Sequence, residues 1–243
     1  MTPPVGAAPA PEPVVALDVA SHAAAVALLD RLGPACGFYK IGLELFTAAG
    51  PAVVEALRAR GLDVFLDLKL HDIPNTVAGA ARSAARLGVR LLTVHASGGA
   101  DMVRAAVDGF GPRSDGGVLA VTVLTSLDAA AIAAAWGRMA VELAADVLRL
   151  GDVAAGAGAH GVVCSGHEAA AVRDRHAGRL ATLVPGVRLA GDGAGDQRRV
   201  VTPAGAAAAG ARYVVLGRTV TGAADPAAAL MRAKGELALA SRA

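Results

Sequence analysis

From Val14 onward the chain alternates short, almost wholly apolar runs with longer runs in which alanine, leucine and valine recur three or four positions apart. The first kind reads as a strand buried on both faces, the second as an amphipathic helix packed over it. The strand runs are 14–19, 37–41, 64–70, 91–95, 118–124, 161–164, 182–184 and 213–216. The helical runs that follow them are 22–32, 44–60, 75–88, 99–109, 139–157, 167–176, 203–210 and 226–240, with an extra turn near 128–136. Repeated strand–helix units call for a parallel sheet, and this number of them predicts an α/β fold closed into a (β/α)8 barrel. An open doubly wound sheet is the alternative, but no G-x-G-x-x-G follows the first strand.

Residues 14–243 are expected to form one barrel domain, because the Gly-rich patches 109–117 and 185–198 read as loops rather than linkers. The Pro/Ala-biased stretch 1–13 is expected to be a disordered lead-in, and it has neither the basic nor the apolar region of a secretory signal.

Composition narrows the function classes. Hydrophobic residues make up 54% of the 243, but alanine supplies many of them, so the core should be built from small side chains with aliphatic anchors. Aromatics are only 3% and the net charge is +2 without a long basic run, so nucleic acid is not an expected partner. The most apolar long stretch, 127–148, carries Asp128, Arg138, Glu142 and Asp146, which argues against a membrane span. Cys36 and Cys164 are isolated in apolar contexts and read as buried, reduced thiols of a cytoplasmic protein.

In a barrel, chemistry belongs at the C-terminal ends of the strands. Charges collect there: Asp18 at the end of the first strand, Lys40 at the end of the second, Asp67 and Lys69 at the end of the third with Asp72 just beyond, and His95 at the end of the fourth. The third strand opens the stretch FLDLKLHDIPNTV, residues 65–77. With a period of two, Val64, Leu66, Leu68 and Leu70 face the helices while Phe65, Asp67 and Lys69 face the barrel axis. Pro74 then suits the first turn of a helix whose buried face holds Val77, Ala81, Ala84 and Leu87. A plain ion pair closing the barrel top would also account for Asp67 and Lys69. The alternation of acid and base across adjacent strands favours a site instead. Barrels often hold phosphate in the loops after strands seven and eight. Here those loops offer Pro185, a Gly-rich segment expected to be mobile, Arg188 and Gln197, then Gly217 and Arg218. Arg198 and Arg199 read as surface charges, and His95 as a satisfied core histidine near the site.

The run D-L-K-L-H-D-I-P-N-T-V resembles the D-x-K-x-x-D-I-P-x-T signature of the orotidine 5′-phosphate decarboxylase family. The resemblance continues through VVALDV, FYKIGLELF, TVHASGG, VTVLTS, GVVCSGHE, LVPGVR and YVVLGRTVT, leaving out only the Pro-rich start. It implies loss of CO2 from orotidine 5′-monophosphate to give uridine 5′-monophosphate, with no metal or organic cofactor. It implies Lys69 as catalytic acid, Asp67 and Asp72 holding it charged and aimed, and Lys40 paired with Asp67 and reaching the ribose. Asp18 would accept ribose hydroxyls, Thr125 or Ser126 would read the pyrimidine amide, and Pro185, Arg188, Gln197, Gly217 and Arg218 would take the phosphate. Asp72, Ile73 and Thr76 would reach the site of a neighbouring subunit in a homodimer. Two rivals remain. One is a magnesium-dependent sugar-phosphate decarboxylase or hexulose-phosphate synthase of the same superfamily, whose second strand usually supplies an acidic metal ligand where Lys40 stands. The other is a non-catalytic barrel that binds nucleotide phosphates.

Overall fold

The computed structural model describes residues 10–191, 193 and 199–241. Eight parallel strands hydrogen-bond in sequence order and close on themselves, β8 pairing with β1. They are β1 Glu12–Ala16, β2 Phe38–Gly42, β3 Asp63–Leu70, β4 Leu91–His95, β5 Gly117–Val121, β6 Gly161–Val163, β7 Ala181–Val184 and β8 Tyr213–Leu216. The helices outside them are α1 His22–Leu32, α2 Leu43–Ala49, α3 Pro51–Ala59, α4 Pro74–Arg86, α5 Gly99–Phe110, α6 Ala129–Trp136, α7 Leu143–Gly156, α8 Gly166–Arg175, α9 Pro203–Ala208, α10 Arg218–Thr221 and α11 Pro226–Ala240.

Two apolar layers follow from strand alternation. Val14, Ala16, Phe38, Phe65, Leu91, Leu119, Leu183 and Tyr213 fill the barrel interior. Val15, Ile41, Val64, Leu66, Val94 and Ala120 pack outward against helix faces that include Val77, Ala81 and Ala84 of α4. Cys36 and Cys164 are free and buried, as expected, and burial pushes the Cys164 thiol up to about 12.

Several boundaries differ from the sequence reading: β1 stops at Ala16 and β5 at Val121, each short of the end of its apolar run, and three further differences have a visible cause. β1 begins at Glu12, inside the stretch expected to be disordered. The cause is Arg90, which donates to both carboxylate oxygens of Glu12, at 2.7 and 2.8 Å. Arg90 also pairs with Asp63 and Asp115 and stacks on the Phe38 ring 4.7 Å away, plugging the N-terminal end of the barrel. The run 44–60 is two helices, because Pro51 lacks the N–H to continue and Gly50 turns the chain at φ 62°. The run 139–157 turns helical only at Leu143, since Gly137 ends α6 in a left-handed conformation and Arg138 reaches onward to the buried Asp146 of α7.

Candidate active site

β3 places its charges as the alternation requires, with one departure. Its register against β4 runs Phe65↔Leu91, Leu66↔Leu92 and then Leu70↔Val94, so β3 spends extra residues over a short length of β4. The excess is absorbed at Lys69, which sits at φ 50°, a conformation that costs a non-glycine residue free energy. Thr93 of β4 compensates. Its hydroxyl oxygen accepts from the Lys69 N–H at 2.9 Å, and its O–H donates to Asp67 Oδ1 at 2.9 Å. Thr93 is fully buried and was not among the residues expected in the site, although its inward parity between Leu91 and His95 marks it.

The cluster is centred on Asp67, whose side chain is 11% exposed. Its Oδ2 lies 2.7 Å from Lys69 Nζ and 3.7 Å from Lys40 Nζ. Lys40 Nζ lies 2.8 Å from Asp18 Oδ1, so the order is Asp18, Lys40, Asp67, Lys69. Burial is the largest single influence on Asp67 and acts to raise its pKa. The charges of Lys69 and Lys40, with the hydrogen bonds from Lys69 and Thr93, outweigh it and hold the carboxyl below the usual range. A carboxylate this buried is tolerable only because both oxygens are engaged. Gly42 makes room for the array: a Cβ there would lie 2.8 Å from Lys40 Nζ and 3.4 Å from Asp18 Oδ1.

These groups line one side of a cleft of about 490 Å³ at the C-terminal mouth. Thr125 and Ser126, after β5, line it as well, with Thr125 buried and Ser126 exposed. Pro185 and Arg188 after β7, and Gly217 and Arg218 after β8, complete the wall. The loops after β7 and β8 are joined where the Leu189 N–H donates to Thr219 Oγ1 at 3.3 Å. Gln197 and Arg198 lie outside the described residues, as does part of the segment expected to be mobile. The expected set is thus assembled except for Gln197 and the three residues beyond β3.

Those three differ in an instructive way. Asp72 does not touch Lys69 of its own chain; its Oδ1 accepts from the Ile73 N–H at 2.6 Å, and Asp72, Ile73 and Thr76 are all exposed. The reason is geometric, because the chain turns outward at Asp72 to start α4 at Pro74, and these three were expected in a neighbouring subunit's site rather than their own. His95 is half-buried rather than a core residue, its ring 5.4 Å from that of His71, and its pKa is lowered by burial, then by His71 and Lys69. Arg199 is not a surface charge: it forms a buried ion pair with Glu168 at 2.7 Å. Among the described residues no group of three His, Cys, Asp or Glu is placed to hold a metal ion.

The model of the orotidine 5′-phosphate decarboxylase / HUMPS family matches residues 11–233. Orotidine 5′-phosphate decarboxylase of Anaeromyxobacter sp. (strain K) is 58% identical over 214 residues, covering 88% of this chain and 92% of the relative. Its counterpart from Halorhodospira halophila is 50% identical over 232 residues, covering 95% of this chain and 97% of the relative. The crystal structure of orotidine 5′-phosphate decarboxylase from Lactobacillus acidophilus superposes with a TM-score of 0.83 at 36% identity, covering 94% of this chain and 99% of that one. With the barrel, the charged array and these matches spanning nearly the whole chain, the protein belongs to the orotidine 5′-phosphate decarboxylase / HUMPS family.

Proposed function

We propose that this chain decarboxylates orotidine 5′-monophosphate at C6, giving uridine 5′-monophosphate and CO2, the last step of de novo pyrimidine nucleotide synthesis. The observation that carries the reading is the Asp18–Lys40–Asp67–Lys69 array at one wall of a cleft whose opposite loops supply Arg188 and Arg218. Loss of the carboxylate leaves an electron pair on an sp2 ring carbon. A cation already fixed beside that carbon lowers the barrier without reorganising at the moment of reaction. Lys69 is that cation, held by Asp67, and its ammonium then protonates C6. Asp67 stays ionised across neutral pH, which keeps Lys69 aimed and sets a negative charge near the departing carboxylate. Lys40 and Asp18 bind the ribose, Thr125 or Ser126 the pyrimidine amide, and the β7 and β8 loops the phosphate. The reaction needs no metal or organic cofactor, because Lys69 supplies both the charge and the proton.

The position of Lys40 favours this over the magnesium-dependent rival. An ammonium between Asp18 and Asp67 stands where a divalent ion would need anionic ligands. The charge cluster also disfavours a binding-only barrel, since an idle site gains nothing from buried charge. Exposed Asp72, Ile73 and Thr76 fit a cytoplasmic homodimer in which each chain completes its neighbour's site. Ile73 is 66% exposed and Leu43, beyond the adjacent strand, 55%, leaving apolar surface for a second copy to cover. The test is loss of substrate absorbance with orotidine 5′-monophosphate in excess EDTA. Full activity is expected; a strict magnesium requirement would transfer the assignment to the sugar-phosphate rival.

A further inference from the structure

The cleft has two arms that, on the decarboxylase reading, hold different ends of the substrate. One is the turn after β5 with Thr125 and Ser126; the other is the loop after β7 with Pro185 and Arg188. Arg199 lies behind both. Its Nη1 donates to Glu168 Oε1 at 2.7 Å, and its Nη2 lies 3.3 Å from the carbonyl oxygens of both Val123 and Leu124, the residues just before Thr125. Two residues further on, the Val201 carbonyl accepts from the Arg188 N–H at 2.9 Å, and the Val201 N–H donates to the Gly186 carbonyl at 3.4 Å. Arg199 is therefore fixed to one arm through its guanidinium and to the other through the adjoining backbone.

Glu168 is fixed in turn. Its Oε2 accepts from the Ser165 N–H at 3.1 Å and from the Ser165 hydroxyl, closing the capping box of α8. Gly166 lets Val201 approach this corner, since a Cβ there would lie 2.6 Å from Val201 Cγ1. The side chains of Arg199 and Glu168 are only 11% and 8% exposed. A buried ion pair is a costly way to join two loops, and an apolar contact would serve as well for stability alone. What an apolar residue cannot do is bind a carboxylate and two carbonyls at once, which needs the planar fork of arginine.

We propose that Arg199, set by Glu168, is a positioning residue that couples the phosphate-facing arm to the pyrimidine-facing arm, so that binding energy from the phosphate improves the placement of the ring. This inference rests on the decarboxylase reading. The test compares wild type, Arg199→Lys and the paired Glu168→Leu/Arg199→Met variant, which leaves no charge buried alone. For each, kcat/KM is measured on orotidine 5′-monophosphate and, in long incubations, on orotidine, which has no phosphate to exploit the coupling; melting temperature is recorded alongside. Arg199→Lys keeps a cation beside Glu168, so its fold should persist. Both variants are expected to lose about tenfold or more on the phosphorylated substrate and little on orotidine. Equal losses on the two substrates, tracking a lowered melting temperature, would make the pair structural and overturn the proposal, as would no loss at all. A wild type inactive on orotidine 5′-monophosphate overturns the functional reading itself; an active wild type with variants behaving otherwise than expected overturns only the coupling.

Discussion

Lys69, Asp67 and Lys40 were legible in the sequence because strand alternation turns them inward at the barrel mouth and the D-L-K-L-H-D-I-P-N-T run carries the family resemblance. Thr93 and Gly42 were not, because a threonine or glycine in a strand carries no signal until the neighbouring strand is in place. The structure gives each a checkable role. Thr93→Val removes the hydroxyl shared by Asp67 and the Lys69 backbone. A hydrogen bond to a charged group is worth about 1.5–3 kcal/mol, so kcat should fall roughly ten- to hundredfold in steady-state assays. Gly42→Ala pushes a methyl against the Lys40 ammonium, which lies at the end of a flexible side chain. The fold should tolerate this with little change in melting temperature while activity falls on the order of tenfold or more. Arg218→Ala, at the proposed phosphate end, should cost about 2–5 kcal/mol in kcat/KM on the phosphorylated substrate. Added guanidinium cation should recover part of that loss, whereas a loss shared equally by orotidine would place the phosphate elsewhere.

At the level of elements, every strand was found from its apolar run, and the errors lay at ends where tertiary contacts decide. Nothing in the local sequence shows that Glu12 will meet Arg90, which is distant in the chain and supplied by the loop before β4. Likewise the alternation along β3 foretold which side chains face inward, but not the register shift that puts Lys69 at positive φ. The same contacts predict how the barrel floor responds to mutation. Glu12→Ala leaves Arg90 buried with only Asp63 and Asp115 as acidic partners. A loss of about 2 kcal/mol is expected, lowering the melting temperature by roughly 4–8 °C with catalysis at the opposite end unchanged. A drop in kcat without a drop in stability would show that the floor is linked to the site.

For the molecule as a whole, acid should act in two stages. His160 and His95 have lowered pKa values, burial being the first cause for each. The unfolded chain therefore binds more protons than the folded one, and stability declines as pH falls below about 6.5. Asp67 is also lowered, so its contribution is present above the ordinary carboxylate value and is lost as pH falls below about 4. Urea denaturation across pH 3 to 8 should resolve both declines; stability that rises on acidification through the histidine range would contradict the assignment. The proposed homodimer is tested by mixing Asp72→Ala with Lys69→Ala, each expected to be nearly inactive alone. Exchange of subunits should restore activity, because one of the two mixed sites is then intact; demonstrable exchange without recovery would place Asp72 in its own chain's site. The central claim is that Lys69 performs the chemistry while the rest of the cleft binds. Lys69→Ala should bind the product nucleotide, uridine 5′-monophosphate, within about tenfold of wild type by calorimetry, yet decarboxylate orotidine 5′-monophosphate at least about a thousandfold more slowly in single turnover, roughly 4 kcal/mol of barrier. A variant that turns over within tenfold of wild type would contradict the account.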